Sequence, residues 1–264
     1  MHSPGNKPII VVENLAASFG SNIVFENVSF QVYKGEKLVI VGESGCGKST
    51  LLRIMIGLQK PSSGKVLFQG VDITDAGEED LSDYRQNIGV LFQSSALFSS
   101  MTLKENIALP LWEYTNLDSA MINMIIKMKL GMVNLAGYGN HYPSELSGGM
   151  KKRAGIARAM ALDPIVLFFD ELSAGLDPVT AVELDDLIIK TNEALRTTMV
   201  IVTHELESIY KIADRVIMLD KQAKGIIAEG DPRELKEKAT DPRVCSFFLR
   251  QMTKPDLQDG FYVK

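Results

Sequence analysis

The chain has 264 residues, 45% hydrophobic and 23% charged, enough to bury a sizeable core in one large or two small domains. Its formal net charge of −5 and pI near 5.4 argue against a nucleic-acid binder that works by neutralising phosphates. Two cysteines, Cys46 and Cys245, are too few for a disulfide framework and suit a reducing compartment, and no uninterrupted apolar run of about 18 residues marks a membrane span.

Residues 1–8 show no basic region followed by an apolar core, so neither an export signal nor an ordered element is expected there. Ile9 to Glu13 and Ile23 to Tyr33 read as strands, the second alternating in Val28-Ser29-Phe30-Gln31-Val32 before a turn at Lys34-Gly35-Glu36. An antiparallel pairing is expected. Phe19 falls in the loop between them, where its ring could stack on an adenine or cover the core.

The apolar run Leu38-Val39-Ile40-Val41 leads into Gly42-Glu43-Ser44-Gly45-Cys46-Gly47-Lys48-Ser49-Thr50 and then Leu51-Leu52-Arg53-Ile54-Met55. Strand, glycine-rich loop and helix in that order, with the spacing G-x4-G-K-S, are the phosphate-cradling P-loop. Glycines let successive backbone N–H groups turn inward on a nucleotide's phosphates. Lys48 would reach the β- and γ-phosphates, the Ser49 hydroxyl would ligate Mg²⁺, and the helix N-terminus adds partial positive charge. The loop alone does not separate kinases, GTPases, helicases and transport ATPases.

Strands are expected at Lys65 to Gln69 and Ile88 to Phe92, the latter ending in Gln93. From Ser94 to about Gly139 the pattern turns helical, with Leu103, Ile107, Leu111, Met121, Ile125 and Met128 at three- and four-residue spacing. Met121, Met124, Met128 and Met132 read as core filler, with an adaptable binding face as the other use of methionine. Ser147 to Ala161 reads as a helix opened by glycines, and Ile165 to Phe169 as a parallel strand buried on both faces that ends in Asp170-Glu171. A helix from Val179 to Leu195, a strand from Thr198 toward His204, a helix from Leu206 to Ala213, a strand from Arg215 to Leu219 and a hairpin through Lys224-Gly225 complete the alternation. Such alternation implies a mostly parallel sheet covered on both faces, with ligands at the strands' carboxyl ends. Gly42, Gln93, Asp170 and His204 all fall there. The tail after about Lys236 carries Val244, Phe247, Phe248, Leu249 and Met252, so it should pack on its own domain or on another subunit.

Asp170, ending a buried strand, is placed to hold the Mg²⁺ shell opposite Ser49, and Glu171 beside it is the candidate base for a water attacking the γ-phosphate. Leu146-Ser147-Gly148-Gly149-Met150 followed by Lys151-Lys152-Arg153 offers a second anion site, with the Ser147 side chain and the Gly148 and Gly149 N–H groups at a helix start. A lone histidine such as His204 at a strand end is by itself more often structural.

Together the P-loop, the Gln93 loop, the LSGGM stretch, Asp170-Glu171, the Ala174-Gly175-Leu176-Asp177 loop and His204 make the sequence resemble the ATP-binding-cassette (ABC) family over nearly its whole length. The resemblance implies an α/β P-loop ATPase fold with a mostly parallel core sheet, an antiparallel β subdomain and an inserted helical subdomain over about residues 94–160. It implies a cassette over 8–236 and a tail over 237–264 that packs on a partner subunit. It also implies ATP and Mg²⁺ as ligands and a homodimer sandwiching two ATPs, each between the P-loop of one copy and Ser147, Gly148 and Gly149 of the other. His204 would hold the γ-phosphate and attacking water, Gln93 would sense Mg²⁺ and water, and Asp177 would bridge the copies. Met150 stands where the family has glutamine, and Leu172 where a proline commonly follows the glutamate.

Within the family, Leu91-Phe92-Gln93-Ser94-Ser95-Ala96-Leu97-Phe98, Pro143 to Met150 with Lys152-Arg153-Ala154, and the tail Asp241-Pro242-Arg243-Val244 with Phe248 resemble ATPases of Mla-type bacterial phospholipid transporters, in which Met150 is expected. That resemblance implies an integral membrane permease, a small STAS-domain protein and a lipid-binding protein with a mammalian-cell-entry (MCE) domain as partners. It places the chain peripherally on the cytoplasmic face of the inner membrane, without nucleic acid. The loop carrying Leu97, Phe98 and Met101 would receive the permease's coupling helix, unless it is simply a buried loop. The alternatives are an ATPase of lipoprotein release or small-solute import, and an ATP-dependent switch on a membrane or cytoskeletal partner.

Overall fold

The computed structural model describes residues 7–249; the start expected to be disordered lies outside them as far as residue 6, as does the tail from residue 250, Met252 included. Two sheets form the frame. The first is antiparallel, in the order β2 (Asn22–Tyr33), β1 (Pro8–Phe19), β4 (Ser63–Phe68), β5 (Val71–Asp72). The second has six strands in the order β10 (Gly225–Gly230), β9 (Arg215–Asp220), β3 (Lys37–Gly42), β8 (Thr198–Val202), β7 (Val166–Asp170), β6 (Ile88–Leu91). All its neighbours run parallel except the β10–β9 hairpin.

Alternation along the central strands explains why they are apolar throughout. Leu38, Ile40, Phe168, Val200 and Val202 point to one face, where they meet the antiparallel sheet and α1 (Lys48–Met55). Val39, Val41, Leu167, Phe169, Met199 and Ile201 point to the other, under α3 (Leu103–Tyr114), α4 (Ser119–Met132), α5 (Gly148–Ala159), α6 (Pro178–Leu195) and α7 (Leu206–Ile212). A strand with two covered faces has no polar side to show.

Several elements differ from the sequence reading. Phe19 closes β1 rather than sitting in a loop, and β1 runs well past Glu13 through register shifts opposite β2. Helix α2 (Glu78–Gln86) was not expected, because EEDLSDYRQ offers only Leu81 and Tyr84 as apolar markers. Of the α4 methionines expected to be core filler, Met132 packs against the core, but Met121, Met124 and Met128 do not. Ile122, Ile126 and Leu130 make the buried face of α4, whereas Met121, Met124 and Met128 are 50%, 72% and 50% exposed. Two apolar stripes at helical spacing coexist on α4, and periodicity alone cannot say which one faces inward. The tail forms α8 (Pro232–Lys238) and α9 (Pro242–Leu249), and Val244, Phe247 and Phe248 of α9 join the chain's own core. As far as Leu249, the buried face of the tail therefore packs on its own domain.

Candidate active site

The P-loop follows β3 and opens α1. Gly42, Gly45 and Gly47 have φ of +145°, +80° and +101°, a region closed to most side chains. Space excludes a Cβ at Gly47 as well, since it would lie 2.7 Å from Val24 Cγ1 and 2.9 Å from Phe25 Cδ1. Lys48 bends back over the loop, its Nζ donating to Gly42 O at 2.8 Å and Glu43 O at 3.1 Å. Cys46 differs from its neighbours: its side chain belongs to the core beneath the loop. Burial pushes its thiol up despite Lys48 nearby, so it is a poor nucleophile whether or not a ligand covers the loop.

Gln93, Asp170 with Glu171, and His204 stand at the carboxyl ends of β6, β7 and β8, beside the P-loop that follows β3. Ser49 Oγ donates to Asp170 Oδ1 at 3.1 Å, and a hydroxyl beside a carboxylate is the hard-oxygen donor set that suits Mg²⁺. Glu171 holds φ at +52°, a left-handed conformation costing a non-glycine residue about 1–3 kcal/mol. Its N–H bonds Val202 O at 2.9 Å, and its Oε2 lies 2.8 Å from His204 Nδ1. Leu172, where a proline was the family expectation, is buried in the core and anchors this turn from below. Phe19, Glu43, Ser44, Thr50, Gln93, Glu171 and His204 line a cavity of about 830 Å³ with the rest of the loop. Phe19 is 56% exposed there, free to present its ring.

The remaining expected residues lie elsewhere. Ser147 caps α5, accepting from Met150 N at 3.3 Å, while Asp177 caps α6 and accepts from Thr180 N at 3.0 Å and Thr180 Oγ1 at 2.6 Å. These bonds from Thr180 hold the Asp177 carboxyl below its usual range. Gly149 packs directly on Thr180, so the first turns of α5 and α6 touch. None of Ser147, Gly148, Gly149 and Asp177 lines the cavity around the P-loop.

Sequence reasoning passed over Lys152 as one of three consecutive basic residues. Its ammonium is buried and donates to Gln93 O at 2.7 Å and Glu171 O at 3.1 Å. Asn22, Val24, Leu206 and Phe247 also line the cavity without any signal in the sequence, because their placement comes from sheet register and from the return of the tail.

Comparison with known proteins agrees with this geometry. The model of the ABC transporter family matches residues 25–174. The chain belongs to the ABC transporter family, and it is that family's ATP-hydrolysing cassette. The intermembrane phospholipid transport system ATP-binding protein MlaF of Haemophilus influenzae is 40% identical over 250 residues, covering 95% of this chain and 94% of that protein. MlaF of Escherichia coli K12 is 39% identical, with 90% and 88% covered. A Mycobacterium leprae protein described as a probable ribonucleotide transport ATP-binding protein, mkl, is 41% identical over 90% of this chain and 68% of its own length. Among solved structures, the dimeric bacterial cassette MJ0796 superposes with a TM-score of 0.77 at 30% identity, covering 84% of this chain and 98% of that one. The same cassette has been solved in a post-hydrolysis state with ADP and Pi, with a TM-score of 0.76 at 31% identity over the same shares of the two chains.

Proposed function

We propose that the chain is the ATPase subunit of a bacterial phospholipid transporter, working as a homodimer on a membrane permease. One observation carries the mechanism: the P-loop, Gln93, Glu171 and His204 share a cavity while Ser147, Gly148, Gly149 and Asp177 stand outside it. A site that holds ATP's phosphates on one side and keeps its second anion-binding helix start elsewhere is half of a composite site. Closure of two copies on ATP would bring Ser147 to Gly149 of one onto the phosphates held by the other, with Asp177 at the seam. The lipid assignment rests on the MlaF relatives.

Within each site Lys48 and the loop N–H groups hold the β- and γ-phosphates, and Phe19 offers its exposed ring to the adenine. Ser49 and Asp170 are the residues that would hold Mg²⁺, with Gln93 beside them; bound there, the ion would neutralise charge on the β- and γ-phosphate oxygens. Glu171 accepts the proton of the attacking water, and His204, in contact with Glu171 Oε2, holds that carboxylate toward the water and the γ-phosphate.

Glu171→Gln keeps the shape and loses the base. It should lower kcat by about 10²-fold or more while leaving affinity for MgATP in place. Wild-type turnover in the assembled complex would remove Glu171 from this role. Purifying the native membrane complex, sequencing its other chains and extracting bound small molecules tests the substrate. Phospholipid with a permease is the expected result. A nucleotide-binding partner without lipid would favour the activity for which the mycobacterial relatives are named.

A further inference from the structure

The structure points to Lys152 as a positioning residue that sets Gln93 and Glu171 relative to each other from the helix that Ser147 caps. This rests on the reading above, in which Gln93 and Glu171 face the γ-phosphate.

The face of α5 toward the Gln93 loop repeats at helical spacing. Lys152 Nζ bonds Gln93 O at 2.7 Å. Gly155 follows, and a Cβ there would lie 2.5 Å from Leu91 Cδ1 and 3.4 Å from Ser95 Cβ, so the loop rests directly on the helix backbone. Arg158 comes next, donating to Ala96 O at 2.7 Å and Ser95 O at 3.1 Å. Ser95 and Ala96 both hold positive φ, a conformation that these bonds retain against its intrinsic cost. Among these contacts Lys152 alone also reaches the other side of the site, through Glu171 O at 3.1 Å.

A buried ammonium needs acceptors on every side that water has left. Lys152 finds two backbone carbonyls, with the Asp170 and Glu171 carboxylates supplying charge that opposes the downward push of burial on its pKa. Both hydrogen bonds of this clamp go to backbone carbonyls, not to the Gln93 or Glu171 side chains. The clamp therefore fixes backbone position, which is the quantity that decides whether the Glu171 carboxylate and the Gln93 amide meet the same water. It also makes the register of α5, whose start is the second anion site, a determinant of geometry at the chain's own P-loop.

The test uses the full chain in its purified membrane complex. Lys152→Met, similar in length and without donors, should lower kcat roughly tenfold to a hundredfold, the cost of misplacing reacting groups by about 1 Å. The dissociation constant for a non-hydrolysable MgATP analogue should stay within about twofold. Lys152→Arg, which retains the charge and the donors, should recover most of kcat. If Lys152→Met does not fold, the same comparison is made between Lys152→Arg and Lys152→Gln, with Gln expected to show the kcat loss. Wild-type kcat in a folded Lys152→Met or Lys152→Gln overturns the inference, as does a parallel loss of kcat and nucleotide affinity, which marks a merely structural lysine. Glu171→Gln measured alongside separates the two levels: wild-type turnover there sinks the reading of Glu171, whereas an inactive Glu171→Gln beside an active Lys152→Met sinks only the role of Lys152.

Discussion

At Gly149 two requirements meet in one residue. Its N–H was expected to serve a phosphate, and its missing side chain makes room for Thr180. A methyl group added there would overlap Thr180 Cγ2, and the threonine cannot swing that methyl aside without giving up the 2.6 Å bond from its Oγ1 to Asp177 Oδ2. Opposing this, alanine is favoured over glycine in a helix by at most about 1 kcal/mol, less at a first turn. Overlap should win: Gly149→Ala is expected to lower stability by about 1–3 kcal/mol. Adding Thr180→Ser, which deletes Cγ2 and keeps the hydroxyl, should restore most of it. Urea unfolding of both variants checks this, and a neutral Gly149→Ala or a double variant without recovery would refute the packing argument. The sequence identified Gly149 for the phosphate alone, since contact between the starts of α5 and α6 depends on their crossing and not on any local pattern. Glu171 shows the same limit. Its chemistry was legible from its place after Asp170, but its left-handed backbone and its contact with His204 were not.

Among the elements, strands were easier to read than helix faces. The runs of β3, β7 and β8 are apolar because both sheet faces are covered, a pattern with one interpretation in an alternating chain. Helix α4, with methionines on one side and Ile122, Ile126 and Leu130 on the other, had two. A polar contact between helices leaves even less trace: Asp185 of α6 is 2% exposed, accepts from Ser208 Oγ of α7 at 2.8 Å, and its Oδ1 has no hydrogen-bond partner. Burial raises the Asp185 pKa, against the pull of the Ser208 bond and Lys211, with Asp186 and Glu205 adding to the rise. A carboxyl whose folded pKa is raised binds its proton more tightly when folded, so its contribution to stability falls as pH rises from the unfolded pKa, about 3.9, through the folded one. Asp185→Asn has no charge to bury. Its stability relative to wild type should therefore increase with pH across the mildly acidic range and level off above the folded pKa. Thermal melts at a series of pH values would show this, and a difference that does not vary with pH would contradict it. Because α7 begins just after His204 and α6 just after Asp177, the Asp185–Ser208 bond also ties those two loops together.

For the molecule as a whole, the P-loop side of the site was legible because its residues are consecutive or end adjacent strands. The arrangement of the other half was legible only through resemblance, since one chain keeps Ser147 to Gly149 away from its own P-loop cavity. This separation predicts complementation. Lys48→Ala removes the phosphate cation, and Gly148→Asp puts a carboxylate where an anion should bind, so each homodimer should be inactive at both sites. In a mixed dimer one site combines both defects, while the other combines the intact P-loop of the Gly148→Asp chain with the intact Ser147 to Gly149 of the Lys48→Ala chain. Random exchange makes half the dimers mixed, each with one sound site of two, so turnover should recover to at most about a quarter of wild type for a symmetric pair. Mixing the two variants at equal concentration and following phosphate release gives the answer. If each chain used its own Ser147 to Gly149, mixing would restore nothing, because neither chain would carry a complete site. Recovery well below a quarter, but above either variant alone, would retain the composite site and show that a sound site turns over more slowly beside a defective one.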